Sequence, residues 1–339
     1  MSRIKFTHTY NDIISIDNLL EAWREFITGK KKRKDAQEFE RDLMANIIQL
    51  HNDLAAMSYR HCGYEAFNIS DPKPRNIHKA SVRDRVLHRA LYRILYPFFD
   101  RTFISDSYSC RYDKATYKAM DKFRKFFYKI SENNKKTVWV LKCDICKFFA
   151  SVNHDTLKVI LKSYIPDDKI LFIVSVIIDS FSVRAGTGLP LGNLTSQLFV
   201  NIYMNEFDQF VKHKLKAKYY IRYADDFVVL SQDKIWLEET LPKMGDFLEE
   251  RLKLNLHPDK VFIKTLASGV DFLGWVNFPD HRVLRATTKR RMMKRVAKNT
   301  KPETVNSYLG LLKHGNTQKL RSMVKSSHVE SGISQLDIG

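Results

Sequence analysis

At 339 residues, with 44% apolar and 28% charged residues, the chain can bury a sizeable core, which excludes an intrinsically disordered protein. The 57 Lys and Arg against 38 Asp and Glu leave +19, a field that attracts polyanions such as RNA, DNA or an anionic membrane face. The longest apolar stretch, around Leu171 to Ile178, is too short to span a bilayer, and the polar-broken N-terminus lacks a signal-peptide core, so a cytoplasmic location without membrane contact is expected.

Residues Asp17 to Met57 carry a helical pattern, with Phe39, Leu43, Ile47, Leu50, Leu54 and Met57 recurring at three- and four-residue steps. The run Gly29-Lys30-Lys31-Lys32-Arg33-Lys34 interrupts it, either as a solvated turn or as one that contacts phosphate. Ser70 to Arg75 holds two prolines, each restricting the residue before it, so it cannot be regular helix. It leads into a strand and then a helix, Ser81 to Tyr96, bearing Arg83, Arg85, Arg89 and Arg93. A helical stretch (Tyr112 to Ile130), a strand (Thr137 to Asp144) and a helix after His154 follow. The Gly/Pro-rich loop Gly186 to Gly192 then opens a helix from Leu194 to Lys214.

Two β-rich runs, Lys218 to Tyr223 and Phe227 to Leu230, flank Ala224-Asp225-Asp226, the pattern of a hairpin with a very short acidic connection. A helix (Trp236 to Leu252) precedes a strand pair, Lys260 to Lys264 and Val270 to Val276. From Arg282 to Lys325 thirteen Lys and Arg stand against one acid, Glu303, and this reads as a basic helical subdomain. Cys143 and Cys146 have CxxC spacing, but strand alternation puts them on opposite faces and no second ligand pair accompanies them, so packing explains them better than metal.

Three carboxylates stand where their surroundings are hostile. Asp144 ends an apolar strand, and Asp225 and Asp226 adjoin at a turn between apolar strands. Crowded or buried carboxylates are costly unless a cation compensates them. An Asp-Asp turn alone is ordinary turn chemistry. Together with Asp144 it suits Mg²⁺, which takes one or two carboxylates plus substrate phosphates, and a pair of such ions serves nucleotidyl transfer.

Tyr223-Ala224-Asp225-Asp226 resembles the YxDD motif of reverse transcriptases, and Asp144 to His154 (DICKFFASVNH) resembles their first catalytic motif. Asp271-Phe272-Leu273-Gly274 is similar to the primer grip, and Leu256-His257-Pro258-Asp259-Lys260 to the motif before it. Further matching blocks lie at Ile77 to Val86 and Asp106 to Ala119, in the family's order. The resemblance implies an α+β right-hand polymerase fold with fingers, a palm holding a small antiparallel sheet flanked by helices, and an α-helical thumb. The expected divisions are an N-terminal helical extension (1–60), fingers (61–135), palm (136–280) and basic thumb and tail (281–339).

By the same resemblance Asp144, Asp225 and Asp226 are catalytic and hold two Mg²⁺ ions, which Mn²⁺ can replace, with the carbonyl of Ile145 a further ligand. Lys79, Arg83, Phe149, Leu191, Gln197 and Lys260 fall at the positions for the incoming dNTP, Phe149 as an aromatic gate against a 2′-hydroxyl. Alone, each cation here also reads as a solvated surface charge and Phe149 as a core ring. Tyr223, Phe272, Leu273, Gly274, Lys289, Arg290, Arg291, Lys294 and Arg295 are expected along the template–primer, where basic helices suit an A-form hybrid.

The loop Leu189-Pro190-Leu191-Gly192-Asn193-Leu194-Thr195-Ser196-Gln197 departs from the usual P-Q-G-x-x-x-S-P, with Leu191 for glutamine and Gln197 for proline. This form is similar to reverse transcriptases of diversity-generating retroelements, within the group II intron-like superfamily. That family makes error-prone cDNA at template adenines for mutagenic retrohoming, with a structured RNA and a small basic accessory protein as partners. Group II intron-type, retron-type and defence-associated reverse transcriptases are the alternatives within the class; a non-catalytic RNA-binding module is the alternative outside it.

Overall fold

The computed structural model describes residues 3–70, 74–298 and 301–333, so part of the proline-bracketed connection, Asp71 to Lys73, lies outside the described residues. The chain opens with α1 (Tyr10–Ile14), α2 (Ile16–Ile27), α3 (Lys34–Arg41) and α4 (Leu43–Ala55). Helix α1 has a full capping box, Thr9 with Asp12, a signal the sequence reading passed over. The break at the lysine run is real: α2 stops at Ile27, and Gly29 supplies a left-handed φ of 71° in the turn before α3.

A hairpin of β1 (Glu65–Ile69) and β2 (Arg75–Lys79) leads into α5 (Val82–Asp100) and α6 (Thr116–Ile130). Helix α5 is capped by Ser81 and continues through Pro97, past the expected end at Tyr96. Helix α6 begins at Thr116 rather than Tyr112, since Asp113 takes a left-handed φ that a helix does not admit. Next come β3 (Trp139–Asp144), the short α7 (Phe148–Ser151), α8 (His154–Lys162), α9 (Asp168–Asp179) and α10 (Leu194–Gln209). Helix α10 runs into a π-helical turn, Phe210–Lys214.

The hairpin of β4 (Tyr220–Tyr223) and β5 (Asp226–Ser231) is followed by α11 (Lys234–Leu252) and β6 (Phe262–Thr265). These strands form one antiparallel sheet in the order β4-β5-β3-β6, which makes β3 and β5 interior strands. Alternation sends Leu141, Cys143, Phe227 and Val229 to one face, against α5 and α10, and Val140, Val228 and Leu230 to the other, against α6. With both faces covered, β3 reads as a nearly continuous apolar run. Helix α10 is buried on most of its circumference, Thr195 and Ser196 through Asp208, and forms the central pillar beneath the sheet.

The single strand expected from Val270 to Val276 is instead a tight hairpin. Strand β7 (Val270–Phe272) turns at Leu273 and Gly274, both at positive φ, into β8 (Trp275–Asn277), which pairs with β9 (Arg282–Leu284). Arg282 therefore starts in a strand, and the basic helices begin only at α12 (Ala286–Lys298), followed by α13 (Pro302–Leu312) and α14 (Gln318–Ile333). Their core joins Met292, Val296, Val305 and Leu312 to Trp275 of β8 and Met120 of α6. The result is the right-hand α+β architecture of fingers, palm sheet and helical thumb. Among the described residues no helix is long and apolar enough to cross a membrane.

Candidate active site

The interior position of β3 and β5 fixes the acidic centre. Their register places Asp144 directly across from Asp226, and Tyr223 pairs with Asp226 from the other side. Ala224 and Asp225 alone connect β4 to β5, with Ala224 in the left-handed region at φ 56°. The Asp225 carbonyl accepts from the Ile145 amide (3.1 Å), and the Asp144 carbonyl from the His257 amide (2.7 Å). Three chain segments are thus stitched together at one end of the sheet.

Two ammonium groups reach these acids. Lys260 Nζ donates to Asp144 Oδ1 (2.9 Å), and Lys142 Nζ lies 3.3 Å from Asp226 Oδ1 and 4.0 Å from Asp144 Oδ2. Burial pushes the Asp226 carboxyl up to about 7, against the opposing pull of Lys142. Burial and then the charge of Asp144 raise Asp225 too. Asp226 Oδ1 is buried without a hydrogen bond of good geometry.

Among the described residues no three His, Cys, Asp or Glu side chains form a ready-made metal cage. A hard divalent cation does not require one, because substrate phosphates complete its shell. The donors here are carboxylate oxygens, with Asp225 and Asp226 costly to ionise and Asp226 Oδ1 without a hydrogen bond of good geometry, and that chemistry fits such an ion. Of the CxxC pair, Cys143 is buried in β3 and Cys146 lies beyond the strand's end; both thiols are free.

The other sequence-derived candidates divide. Phe149 sits half-buried in α7, entered through Lys147 at φ 45°, and its carbonyl accepts from Leu189 (2.8 Å). Leu191 is half-buried, belongs to none of the apolar cores, and takes the His78 amide on its carbonyl (3.0 Å). Gln197 is half-buried in the first turn of α10.

Lys79 and Arg83 are already engaged elsewhere. Lys79 pairs with Asp35 (3.0 Å) and Glu65 (3.1 Å), and Arg83 with Asp53 (2.6 Å) while stacking on Tyr59. Both cations tie the segment from β2 to the start of α5 to helices α3 and α4. Phe272 is wholly buried against Phe123, whereas Asp271, Leu273 and Gly274 of the grip-like segment are half-buried. Tyr223 anchors its hydroxyl on Thr116 Oγ1 at the start of α6 (3.0 Å). Lys289, Arg290, Lys294 and Arg295 are exposed on α12 and Arg291 is half-buried, with Met292 and Val296 on the core side.

The sequence reading missed Lys142 and the pair Asp208–Arg222. In the latter, Arg222 donates Nε and Nη2 to the two oxygens of Asp208 (both 2.7 Å) with no solvent exposure. A lysine two residues before Asp144, inside an apolar strand, was the available signal for the first. Nothing local marks the second.

Residues 70–276 match the model of the family described as reverse transcriptase (RNA-dependent DNA polymerase). Protein YkfC of Escherichia coli is 25% identical over 266 residues, covering 67% of this chain and 68% of that one. The group II intron-encoded protein LtrA of Lactococcus lactis is 23% identical over 300 residues, covering 68% of this chain and 47% of its own length. Among solved structures, apo telomerase from Candida tropicalis, truncated from its C-terminal domain, aligns with a TM-score of 0.49 at 14% identity, over 71% of this chain and 60% of that one.

Proposed function

The chain belongs to the reverse transcriptase family of RNA-dependent DNA polymerases, and from that premise we propose that it copies a template RNA into cDNA with Asp144, Asp225 and Asp226 as its catalytic carboxylates. The observation that carries the reading is the register of β3 and β5, which sets Asp144 opposite Asp226 with Asp225 in the adjoining turn.

Asp144, Asp225 and Asp226 would hold two Mg²⁺ ions, or Mn²⁺, with the Ile145 carbonyl as a further ligand. When bound, such ions activate the 3′-hydroxyl and stabilise the leaving pyrophosphate. The chain's own residues do the rest. Phe149 bounds the sugar side of the dNTP site, where a ring leaves no room for a 2′-hydroxyl. Lys260, 44% exposed in its side chain and already on Asp144, can turn to a phosphate. Lys79 and Arg83 take up the β- and γ-phosphates if released from Asp35, Glu65 and Asp53. The cations of α12, the Leu273-Gly274 turn and Tyr223 line the path of the RNA–DNA hybrid.

Within the family, the departure at Leu191 and Gln197 favours a diversity-generating retroelement enzyme. A site discriminates well when the wrong substrate leaves its buried polar groups unpaired. Leu191 offers no such group, and it is half-buried outside the apolar cores of the described residues. This reading brings error-prone copying of adenines, mutagenic retrohoming, and a small basic accessory protein and structured RNA as partners. Group II intron-type copying is the second reading, favoured by the match to LtrA.

Primer extension with Mg²⁺ on an adenine-containing RNA template, followed by cDNA sequencing, tests both levels. Full-length cDNA with substitutions concentrated opposite adenines supports the proposal. Faithful cDNA moves the assignment to the intron-type reading, and absence of dNTP incorporation refutes the catalytic assignment.

A further inference from the structure

We propose that Lys142 is a resident counter-cation of the catalytic carboxylates: a positioning residue that holds Asp144 and Asp226 in place before metal arrives, and against which metal must bind. The inference rests on the reading of these aspartates as metal ligands.

Lys142 precedes Asp144 by two residues on β3, so both side chains leave the same face of the sheet. Its Nζ reaches Asp226 Oδ1 at 3.3 Å and Asp144 Oδ2 at 4.0 Å, and the residue is only 5% exposed. Its neighbours across both strand edges are apolar. Its cross-strand neighbours are Val228 on β5 and Phe262 on β6, both part of the core under α6. Lysine is strongly hydrated and almost never buried unless paired. A position that served packing alone would be filled by leucine or methionine.

The two lysines at the centre therefore differ in kind. Lys260 comes from the turn Pro258–Lys260 with 44% of its side chain exposed, so it can leave Asp144 for solvent or phosphate at small cost. Lys142 is enclosed, with 7% of its side chain exposed, and cannot withdraw without repacking the strand face. An immobile positive charge so near the carboxylates repels a divalent ion in a poorly screened site. Triphosphate oxygens offset that repulsion while completing the metal's shell. Metal and dNTP then bind cooperatively, and by linkage each strengthens the other to the same degree. The arrangement leaves the metal-free enzyme with ordered carboxylates and gives metal its full affinity only when substrate is present.

The test is Mn²⁺ binding to the full chain without nucleic acid, followed by the electron paramagnetic resonance of free Mn²⁺, for the wild type, Lys142→Met, Lys142→Gln and Asp226→Asn. Wild type should bind weakly, and both Lys142 variants should bind about tenfold tighter or more. A dideoxynucleoside triphosphate should tighten Mn²⁺ binding far more in the wild type than in either variant. Lys142→Gln keeps a hydrogen-bonding group without the charge, and it carries the test if Lys142→Met does not fold. Unchanged or weaker Mn²⁺ binding in a folded Lys142 variant overturns the proposal. If wild type binds Mn²⁺ and Asp226→Asn binds it equally well, the aspartates are not the ligands, and the underlying reading fails with it.

Discussion

The guanidinium of Arg222 donates through Nη1 to the carbonyl of Ala224 (3.2 Å), so a fully buried cation holds the two-residue loop that carries Asp225. All five of its N–H groups have partners: both oxygens of Asp208, Ser107 Oγ, the Asn201 side-chain oxygen at 3.5 Å and the Ala224 carbonyl. Breaking such a pair from one side leaves an uncompensated buried charge and costs about 3–5 kcal/mol. Asp208→Ala should lower the thermal midpoint sharply. The double variant Arg222→Met/Asp208→Leu should recover most of that stability, because both charges leave together. It should still need more Mg²⁺ for half-maximal primer extension, since the loop has lost its anchor. A double variant with unchanged Mg²⁺ demand would make the pair purely structural.

His88 predicts an acid-sensitive step in stability. Its imidazole is buried, with Nε2 3.2 Å from that of His61, and burial and then His61 push it down from 6.5 to about 3. The unfolded chain takes up a proton here below pH 6.5, while the folded chain resists until about pH 3. The stability from keeping this ring neutral is present above pH 6.5 and is lost as pH falls towards 3. Between pH 7 and 5 the loss is about 2 kcal/mol. Urea unfolding of His88→Gln should show a shallower decline over that interval than the wild type. Parallel declines would remove His88 from the account.

On the proposed reading, Leu191 should bear on fidelity rather than rate. Leu191→Gln restores a polar group beside the Gly192 loop and should lower misincorporation opposite adenines by about ten- to a hundredfold, with turnover changed much less. Sequenced cDNA from single-pass extension reads this directly. An unchanged error spectrum would return Leu191 to a packing role.

Gly315 is held by close approach. A Cβ there would lie 2.1 Å from a ring carbon of Trp275 and 2.9 Å from the Arg282 carbonyl oxygen. Trp275 is itself buried in the core joining β8 to the thumb helices. Gly315→Ala must displace one of them and should cost about 1–3 kcal/mol. The loss should fall on the affinity for a primer–template hybrid more than on the apparent KM for dNTP.

The convergence of Asp144 with the Asp225-Asp226 turn was legible in the sequence because these residues contradict their surroundings. An aspartate ending an apolar strand and two more in a turn between apolar strands have no packing reason to be there. The lysine-rich interruption after Ile27 was visible for a similar reason, since Gly29 and five consecutive cations stop an amphipathic stripe. Lys142 escaped notice because a lone lysine in a strand passes for an outward-facing residue under simple alternation. Only the pairing of β3 on both edges, with α6 over its face, shows that this direction is inward. The hairpin at Leu273-Gly274 was lost because strands of three residues carry almost no periodicity. The engagement of Lys79 and Arg83 by Asp35 and Asp53 spans 44 and 30 residues (79 − 35 and 83 − 53), distances at which sequence pattern is silent.

The most direct measurement is dNTP incorporation on an RNA template by Asp225→Ala, with RNA binding measured on the same preparation. Asp225 lies in the connecting loop, outside the strand register, so its loss leaves the sheet intact. Incorporation should fall by at least about a thousandfold while RNA affinity stays within about twofold of the wild type. Incorporation that survives the substitution, in protein that still binds RNA, would contradict the assignment of the acidic hairpin as the polymerising centre.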